Sequence, residues 1–322
     1  MALFANESGT IPAGFGRYKT VMREVLCNTL LKYSKDKNFV FLTGDLGFRV
    51  LEPLKQRLGE RFINAGVAEQ NMVSVAAGLA RAGLRPWLYS IAPFIYARPF
   101  EQIRNDVCMH DLPVKLIGNG GGYAYGVMGP THHALEDYGL MLSLKNMYVF
   151  VPAFAFDIHT IVEKLYNFEH PAYIRLGRDE KPEDFEPLSY APWRRVICGC
   201  GPTMLVVGPL VGKMIKDLGT LDEKIRPDIW CLTELPISAS TIPQDFIDDL
   251  KDSGHLFVVE EHIAHGGAGQ MLVHLLSLEG IMPKRLTHRC ALGYVSGLYG
   301  SQEFHRRECG LDTAGIIAEL KG

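Results

Sequence analysis

The chain lacks the features that mark membrane and nucleic-acid-binding proteins. No uninterrupted apolar run approaches the roughly 20 residues of a membrane span. Basic blocks are missing, and the net charge is −3. We therefore expect neither a membrane nor nucleic acid as a main partner. Residues 1–16 lack the basic-then-apolar pattern of a secretion signal, so the expected location is the cytoplasm.

Cysteine is sparse, which excludes a disulfide-stabilised scaffold. The seven cysteines show neither disulfide-framework nor zinc spacing. Cys198 and Cys200 flank one glycine, but no second pair accompanies them. All seven are expected to be thiols of a reducing compartment.

The amino-acid composition of the chain is ordinary for a globular enzyme. The 322 residues are 47% hydrophobic and 21% charged, enough for about two domains with separate cores. Residues 1–16, with glycine, proline and small polar residues, predict a loose N-terminal arm. Residues 182–193 are polar and proline-rich and predict a linker. The predicted domains are therefore residues 17–181 and 194–322.

Apolar segments alternate with helical ones along the chain. In the first domain, strands are predicted at residues 39–43, 62–64, 86–90, 114–118, 148–152 and 172–176. Helices are predicted at residues 17–35, 68–82, 97–110 and 156–167. In the second domain, strands are predicted at residues 204–208, 228–232 and 255–260. This alternation predicts an α/β fold of two consecutive doubly wound domains, each with a mostly parallel sheet.

A lone glutamate, Glu69, stands at the start of a helix of small and apolar residues. It lies in the segment Gly66-Val67-Ala68-Glu69-Gln70-Asn71-Met72. A carboxyl in such surroundings is poorly solvated and is expected to stay protonated near neutral pH. The alternative is a carboxylate that only complements the helix dipole.

Two further segments carry aromatic and acidic candidates. Thr43-Gly44-Asp45-Leu46-Gly47 closes a predicted strand. Tyr89-Ser90-Ile91-Ala92-Pro93-Phe94 leads to Arg98 and contains a ring, Phe94, suited to stacking on an electron-poor heterocycle. The alternative for Phe94 is a core residue, since aromatic side chains are commonly buried.

A fourth segment carries histidine. Gly129-Pro130-Thr131-His132-His133-Ala134-Leu135-Glu136-Asp137 follows the glycine-rich run Gly118-Asn119-Gly120-Gly121-Gly122. His132 suits proton transfer because the pKa of histidine lies near the working pH. The alternative is that His132 and His133 cap or hydrogen-bond a loop. The glycine run lacks the Gly-Lys-Ser/Thr of a phosphate loop and predicts close approach of backbone to a ligand.

In order and spacing, these four motifs resemble the pyrimidine-binding domain of transketolases. Val258-Val259-Glu260-Glu261-His262, Gly266-Gly267-Ala268-Gly269-Gln270 and Gly310-Leu311-Asp312 resemble the C-terminal domain of the same family. The resemblance covers nearly the whole chain. It implies the two-domain α/β fold and a thiamine diphosphate-dependent transfer of a two-carbon ketol unit.

The resemblance also implies roles for the cofactor-site residues. Glu69 is implied to hold N1′ of the aminopyrimidine, and Phe94 to stack on that ring. Asp45 is implied to lie close to the cofactor, and Tyr89 is a weaker candidate for the same wall. His132 is implied to position substrate oxygens and to move protons.

Substrate-binding candidates follow from the same resemblance. Arg23 and Arg178 match arginines that hold a phosphate tail, where a forked guanidinium suits an anion. Arg49 stands where the family often has a small hydroxyl residue, and Arg98 is a further candidate. Met128 replaces the aspartate that usually reads an acceptor hydroxyl, which predicts a different or deoxygenated substrate carbon. Surface ion pairing is the alternative for each arginine.

The domain that grips the cofactor diphosphate through Mg²⁺ in full-length transketolases has no counterpart here. Gly44-Asp45-Leu46-Gly47 is not its Gly-Asp-Gly motif, and no room for that domain precedes Arg17. The resemblance thus implies an N-terminal partner subunit that shares thiamine diphosphate and holds Mg²⁺, in an α2β2 heterotetramer with a β–β core. No metal ligand is predicted in this chain, and Glu261, His262 and His265 are interpreted as structural.

The predicted function is that of a β-type subunit of a split transketolase, acting between a ketose donor and an aldehyde or ketone acceptor. The ending Gly293 to Gln302 resembles split transketolases of unusual or nucleotide-activated sugars. Alternatives are the β subunit of a 2-oxo acid-decarboxylating enzyme, a deoxyxylulose phosphate synthase-like enzyme, and a non-catalytic regulatory module on the same scaffold.

Overall fold

The structure is a computed structural model that describes residues 22–47, 49–186 and 188–321. The predicted arm, residues 1–16, lies outside the described residues. The same holds for residues 17–21 of the first predicted helix. Among the described helices, none combines the length and the apolar character needed to cross a membrane.

The first half of the chain alternates strands and helices. Its strands are β1 (Phe39–Thr43), β2 (Phe62–Asn64), β3 (Arg85–Ile91), β4 (Lys115–Asn119), β5 (Tyr148–Phe150) and β6 (Ala172–Leu176). Its helices are α1 (Met22–Leu30), α2 (Glu52–Leu58), α3 (Glu69–Arg81), α4 (Ala92–Tyr96), α5 (Phe100–Gln102), α6 (Asp137–Leu142) and α7 (Asp157–Tyr166).

The second half forms a smaller unit of the same kind. Its strands are β7 (Trp193–Ile197), β8 (Thr203–Val207), β9 (Asp228–Leu232), β10 (Glu234–Leu235), β11 (His255–Val259) and β12 (Arg285–Arg289). Its helices are α8 (Leu210–Leu218), α9 (Gln244–Ser253), α10 (Ala268–Leu278), α11 (Gln302–Glu308) and α12 (Thr313–Lys321).

Two mostly parallel sheets result, as the sequence predicts. The described strands pair in the orders β10-β5-β6-β4-β3-β1-β2 and β12-β11-β8-β9-β7. Alternate residues of β1 enter different cores: Phe39 and Phe41 join one cluster, and Val40 and Leu42 join the other. Burial on both faces is why the strands are continuous apolar runs. The predicted α/β fold class is confirmed.

Two predicted helices have different bounds in the structure. The first, predicted to reach residue 35, ends at Leu30 and passes into a 3₁₀ turn over Leu31–Tyr33. The helix predicted at residues 97–110 begins only at Phe100, after the cap residue Pro99. It continues as a π-helical segment over Ile103–Cys108.

One antiparallel strand pair and one buried ion pair join the two halves of the chain. β10 belongs to the second half but pairs with β5 at the edge of the first sheet. Trp193, which the sequence assigns to the linker, begins β7 and pairs with β9. One residue on, Arg194 donates to both carboxylate oxygens of Asp157 at 2.7 and 2.6 Å, and both side chains are buried.

We predict that Asp157→Ala lowers the free energy of unfolding by about 3–5 kcal/mol, because it leaves the Arg194 charge buried and unpaired. Urea unfolding followed by circular dichroism measures this change. The control is Glu163→Ala in the same helix, whose carboxylate is 57% exposed and 3.5 Å from Lys32 Nζ. The control should change stability by about 0.5 kcal/mol or less. Equal losses in the two variants would contradict the prediction.

Candidate active site

The loops that follow β1 and β2 meet at the start of α3, where Glu69 is 5% exposed. Gly44 makes the approach possible, since a Cβ at that position would lie 2.8 Å from the carbonyl oxygen of Gly66. Asn64 fixes the neighbouring turn: its Oδ1 accepts from the N–H groups of Asp45 and Gly66 at 2.9 and 3.0 Å. Asp45 therefore lies at the same sheet edge as Glu69, with its own side chain exposed.

Glu69 is paired with a guanidinium. Nη1 of Arg98 lies 3.0 and 3.1 Å from the two carboxylate oxygens of Glu69. The same guanidinium lies over the ring of Phe94, 3.8 Å from its centroid. The sequence predicts a carboxyl without an ionic partner. The structure instead pairs it with Arg98, which follows one turn after Phe94 and reaches back over its ring. Arg98, expected to bind substrate, thus contacts the predicted cofactor residues.

His132 lies beside this group, so the structure brings the two predicted catalytic residues to one place. Its ring is 5.2 Å from that of Phe94, and its Nδ1 lies 2.9 Å from the hydroxyl oxygen of Thr131. Burial, followed by the nearby positive charge of Arg98, lowers the pKa of His132. The imidazole is therefore neutral near pH 7, as a proton acceptor requires.

His133 anchors the histidine loop to the second half of the chain. Its Nε2 lies 2.8 Å from the carbonyl oxygen of Gly126, which only accepts. The proton therefore sits on Nε2, and Nδ1 accepts from the Tyr294 hydroxyl at 2.8 Å. Gly129, in the same loop, lies against the ring of Tyr299. The C-terminal half thus positions the loop that carries His132, a role that the sequence motifs do not reveal.

Tyr89 lies in the core on the opposite face of the sheet from α3 and α4. It belongs to the core cluster on the α1 face of the sheet, whereas Met72 of α3 and Ile95 of α4 belong to the opposite cluster. Alternation along β3 explains this, because neighbouring side chains of a strand point to opposite faces. Burial raises the pKa of Tyr89, and the positive charge of Arg23 opposes that rise.

The remaining substrate candidates lie at the surface. Arg178 is exposed and donates to the carbonyl oxygen of Ala124 at 3.1 Å. Arg49 is exposed, with its backbone N–H bonded to Glu52 at 2.7 Å. Met128 is 53% exposed at the end of the 3₁₀ turn before Gly129. The side chains of Arg49 and Met128 are therefore exposed to a ligand that approaches from solvent.

Sequence reasoning missed two side chains of this region, Asn119 and Tyr125. The hydroxyl of Tyr125 accepts a hydrogen bond from Asn119 Nδ2 at 2.8 Å, and its ring lies 5.7 Å from that of His132. The available signal was the glycine after β4: a Cβ on Gly120 would overlap the Tyr125 ring at 2.1 Å. In the described part of the chain, no group of three or more His, Cys, Asp or Glu side chains is arranged to hold a metal ion.

Comparison with known proteins gives consistent matches. The profile of the family "Transketolase, pyrimidine binding domain" matches residues 19–183. One subunit of the apulose-4-phosphate transketolase of Actinobacillus succinogenes is 30% identical over 284 residues, which cover 83% of this chain and 86% of that protein. A solved "Split gene transketolase, inactive beta4 tetramer" is 29% identical, with a TM-score of 0.77, over 94% of this chain and 97% of that one.

A second group of relatives is longer than this chain. The 1-deoxy-D-xylulose-5-phosphate synthase of Fusobacterium nucleatum is 27% identical over 312 residues, which cover 94% of this chain but 51% of that protein. The chain therefore corresponds to about half of this relative and to nearly the whole of the subunit-type proteins.

We predict that His133 contributes to a loss of stability in acid. Burial, the largest cause, lowers the pKa of His133 in the folded chain below its ordinary value of 6.5. The unfolded chain then binds the proton more readily, so stability is present above about pH 6.5 and is lost as the pH falls below it. Urea unfolding at pH 7.0, 6.0 and 5.0 should give a shallower loss for His133→Gln than for wild type.

The matched control is His274→Gln, at an exposed position on α10. It should retain the wild-type slope. Parallel pH profiles for His133→Gln and wild type would show that His133 does not contribute.

Proposed function

Because the chain belongs to the transketolase family, we propose that it acts as the β-type subunit of a split, thiamine diphosphate-dependent transketolase. In this proposal it transfers a two-carbon ketol unit from a ketose to an aldehyde or ketone acceptor. The observation that carries the proposal is the buried carboxylate of Glu69 beside the ring face of Phe94 and the neutral imidazole of His132.

The carboxylate of Glu69 and the ring of Phe94 fit the aminopyrimidine of thiamine diphosphate. The planar, nitrogen-bearing guanidinium of Arg98 stacks on Phe94 and bonds to Glu69, so this pair accepts a flat cationic group with N–H donors. When bound, the cofactor supplies the nucleophilic carbon that breaks and forms the carbon–carbon bond. Glu69 would hold the proton at N1′, and Phe94 would support the ring. Asp45, at the same sheet edge, would lie close to the cofactor.

His132 would work on the substrate. Its Nδ1 is engaged with the Thr131 hydroxyl, which leaves Nε2 to approach a substrate oxygen. A neutral imidazole can take the proton of a ketose hydroxyl as the carbonyl forms and return it to the acceptor oxygen. Arg23, Arg49 and Arg178 are the proposed contacts of an anionic tail, and Met128 the proposed neighbour of the acceptor carbon.

A partner subunit completes the site in this proposal. Gly44-Asp45-Leu46-Gly47 differs from the family's Gly-Asp-Gly motif, so we assign the diphosphate and its Mg²⁺ to an N-terminal transketolase subunit. The name of the similar solved structure, an inactive β4 tetramer, supports dependence on a partner. We propose an α2β2 assembly with a β–β core. All seven thiols are free, which suits a reducing compartment such as the cytoplasm.

A sugar phosphate is the proposed substrate class, supported by the relative named for apulose-4-phosphate. Assaying ketose phosphates against pyruvate, with the reconstituted complex, separates ketol transfer from the decarboxylating and deoxyxylulose phosphate synthase-like alternatives. Activity with pyruvate alone would favour those alternatives. Absence of all turnover in the reconstituted complex would favour a regulatory module.

We predict that Glu69→Gln slows proton exchange at C2 of the cofactor by about 10²–10⁴-fold in the reconstituted complex, because an amide cannot hold the N1′ proton as a carboxyl does. NMR of deuterium exchange measures this rate directly. The control is Glu101→Gln, an exposed position on the neighbouring helix α5, which should exchange like wild type. Wild-type exchange in Glu69→Gln would remove Glu69 from its proposed role.

We predict that the isolated chain binds thiamine diphosphate weakly and has no ketol transfer activity, because the diphosphate site is assigned to the partner. Calorimetric titration in the presence of Mg²⁺, on the chain alone and on the reconstituted complex, gives the two affinities. Equal affinity and equal turnover in the two samples would show that the chain needs no partner.

A further inference from the structure

The loop of residues 293–301, between β12 and α11, has no role in the proposed chemistry, yet it lies against the loop that carries the proposed proton-transfer residue. A Cβ at Gly126 would lie 3.3 Å from the carbonyl oxygen of Gly300. A Cβ at Gly129 would lie 3.6 Å from the ring of Tyr299. The two loops are therefore in van der Waals contact at both of these glycines.

A hydrogen bond also joins the two loops. The hydroxyl of Tyr294 donates to Nδ1 of His133 at 2.8 Å. His133 is buried, and its Nε2 donates to the carbonyl oxygen of Gly126 at 2.8 Å. Each ring nitrogen has one partner, and the tyrosine donor keeps the imidazole proton on Nε2. Burial raises the pKa of Tyr294 to about 12, so the hydroxyl keeps the proton that it donates.

His132 is held to the same turn as His133. The backbone N–H groups of both histidines donate to the carbonyl oxygen of Gly129, at 3.0 and 3.2 Å. The ring of His132 lies 5.2 Å from that of Phe94 and 5.7 Å from that of Tyr125. A shift of the His133 ring therefore moves the backbone of His132 and changes the distance of its ring from these two aromatic neighbours.

The pair of Tyr294 and His133 rests on the ring of Tyr123, which is fully buried. That ring meets His133 edge to face at 5.3 Å and Tyr294 edge to face at 6.4 Å. The hydroxyl of Tyr123 donates to the carbonyl oxygen of Gly293, the residue before Tyr294, at 2.7 Å. The hydrogen-bonded pair is thus supported by one core side chain and keeps a defined geometry.

We propose that Tyr294 is a positioning residue for His132. Its hydroxyl fixes the tautomer and the place of the His133 ring, and His133 in turn fixes the turn that presents the His132 ring beside Phe94. The proposal rests on the proposed function, in which His132 moves a proton of the substrate. Tyr294 acts through His133 and not by contact with the substrate.

A double-mutant cycle tests this route in the complex reconstituted with the partner subunit, with D-xylulose 5-phosphate as donor and D-ribose 5-phosphate as acceptor. Tyr294→Phe removes only the hydroxyl and should lower kcat about 10-fold or more, because misplacement of a catalytic group costs up to about 100-fold in rate. His133→Leu should lower kcat at least as much. In the double variant, Tyr294→Phe should add no further loss, since the tyrosine acts only through the histidine.

Two further variants separate positioning from general damage. His133→Gln keeps one acceptor and one donor and should retain about 10-fold more activity than His133→Leu. Tyr299→Phe makes the same change at an exposed tyrosine of the same loop and should keep the wild-type kcat. Additive losses of Tyr294→Phe and His133→Leu in the double variant would overturn the proposal, because the tyrosine would then act by another route.

Proton NMR of the histidine rings in the full chain tests the positioning without any turnover. The rings of Phe94 and Tyr125 shift the signals of a nearby imidazole, so the His132 signals report its place between them. His132→Gln assigns these signals by their absence. They should shift in Tyr294→Phe and stay in place in Tyr299→Phe. Unchanged His132 signals in Tyr294→Phe would overturn the proposal.

Failure of the proposed function gives a different result. In that case the wild-type complex shows no ketol transfer, while the NMR signals of His132 still decide whether Tyr294 positions its ring. Ketol transfer by wild type, with unchanged His132 signals in Tyr294→Phe, leaves the function intact and removes only the assignment to Tyr294.

Discussion

The geometry of the candidate site depends on one buried carboxylate at the junction of the two halves, Glu261. It accepts from the Tyr123 N–H at 2.8 Å and from Arg306 at 2.8 Å. Burial alone would raise the pKa of Glu261, but the charge and hydrogen bonds of Arg306 hold it below its ordinary value. A Cβ on Gly122 would lie 2.6 Å from this carboxylate. The Glu261 carboxylate, from the second half of the chain, thus fixes the glycine-rich segment after β4. The loop that carries His132 therefore starts from a defined position.

The sequence predicts what depends on neighbours along the chain. β1, β2 and β6 have their predicted bounds because each is a short apolar run between polar turns. Glu69 and His132 are found together because parallel strands bring the loops at their carboxyl ends to one edge. These features follow from periodicity and motif order, with no knowledge of packing.

What the sequence does not predict comes from contacts between distant residues. Tyr89 looks like a neighbour of Phe94 along the chain, yet strand alternation places it with Arg23 on the other sheet face. The two-residue strand β10 is too short to show a pattern and exists only by pairing with β5. The link from His133 to Tyr294 joins residues 161 positions apart. Such pairs are fixed by tertiary packing and leave no local signal.

The contact of Arg98 with Glu69 and Phe94 has a thermodynamic consequence. The carboxylate that would hold the cofactor already has a stacked, positively charged partner, so it is never left alone in an apolar cleft. A flat cationic ligand that bound at Glu69 would replace Arg98 as the ionic partner of the carboxylate, so the buried net charge would change little. The displaced guanidinium would carry its positive charge toward solvent, where 44% of the Arg98 side chain is already exposed.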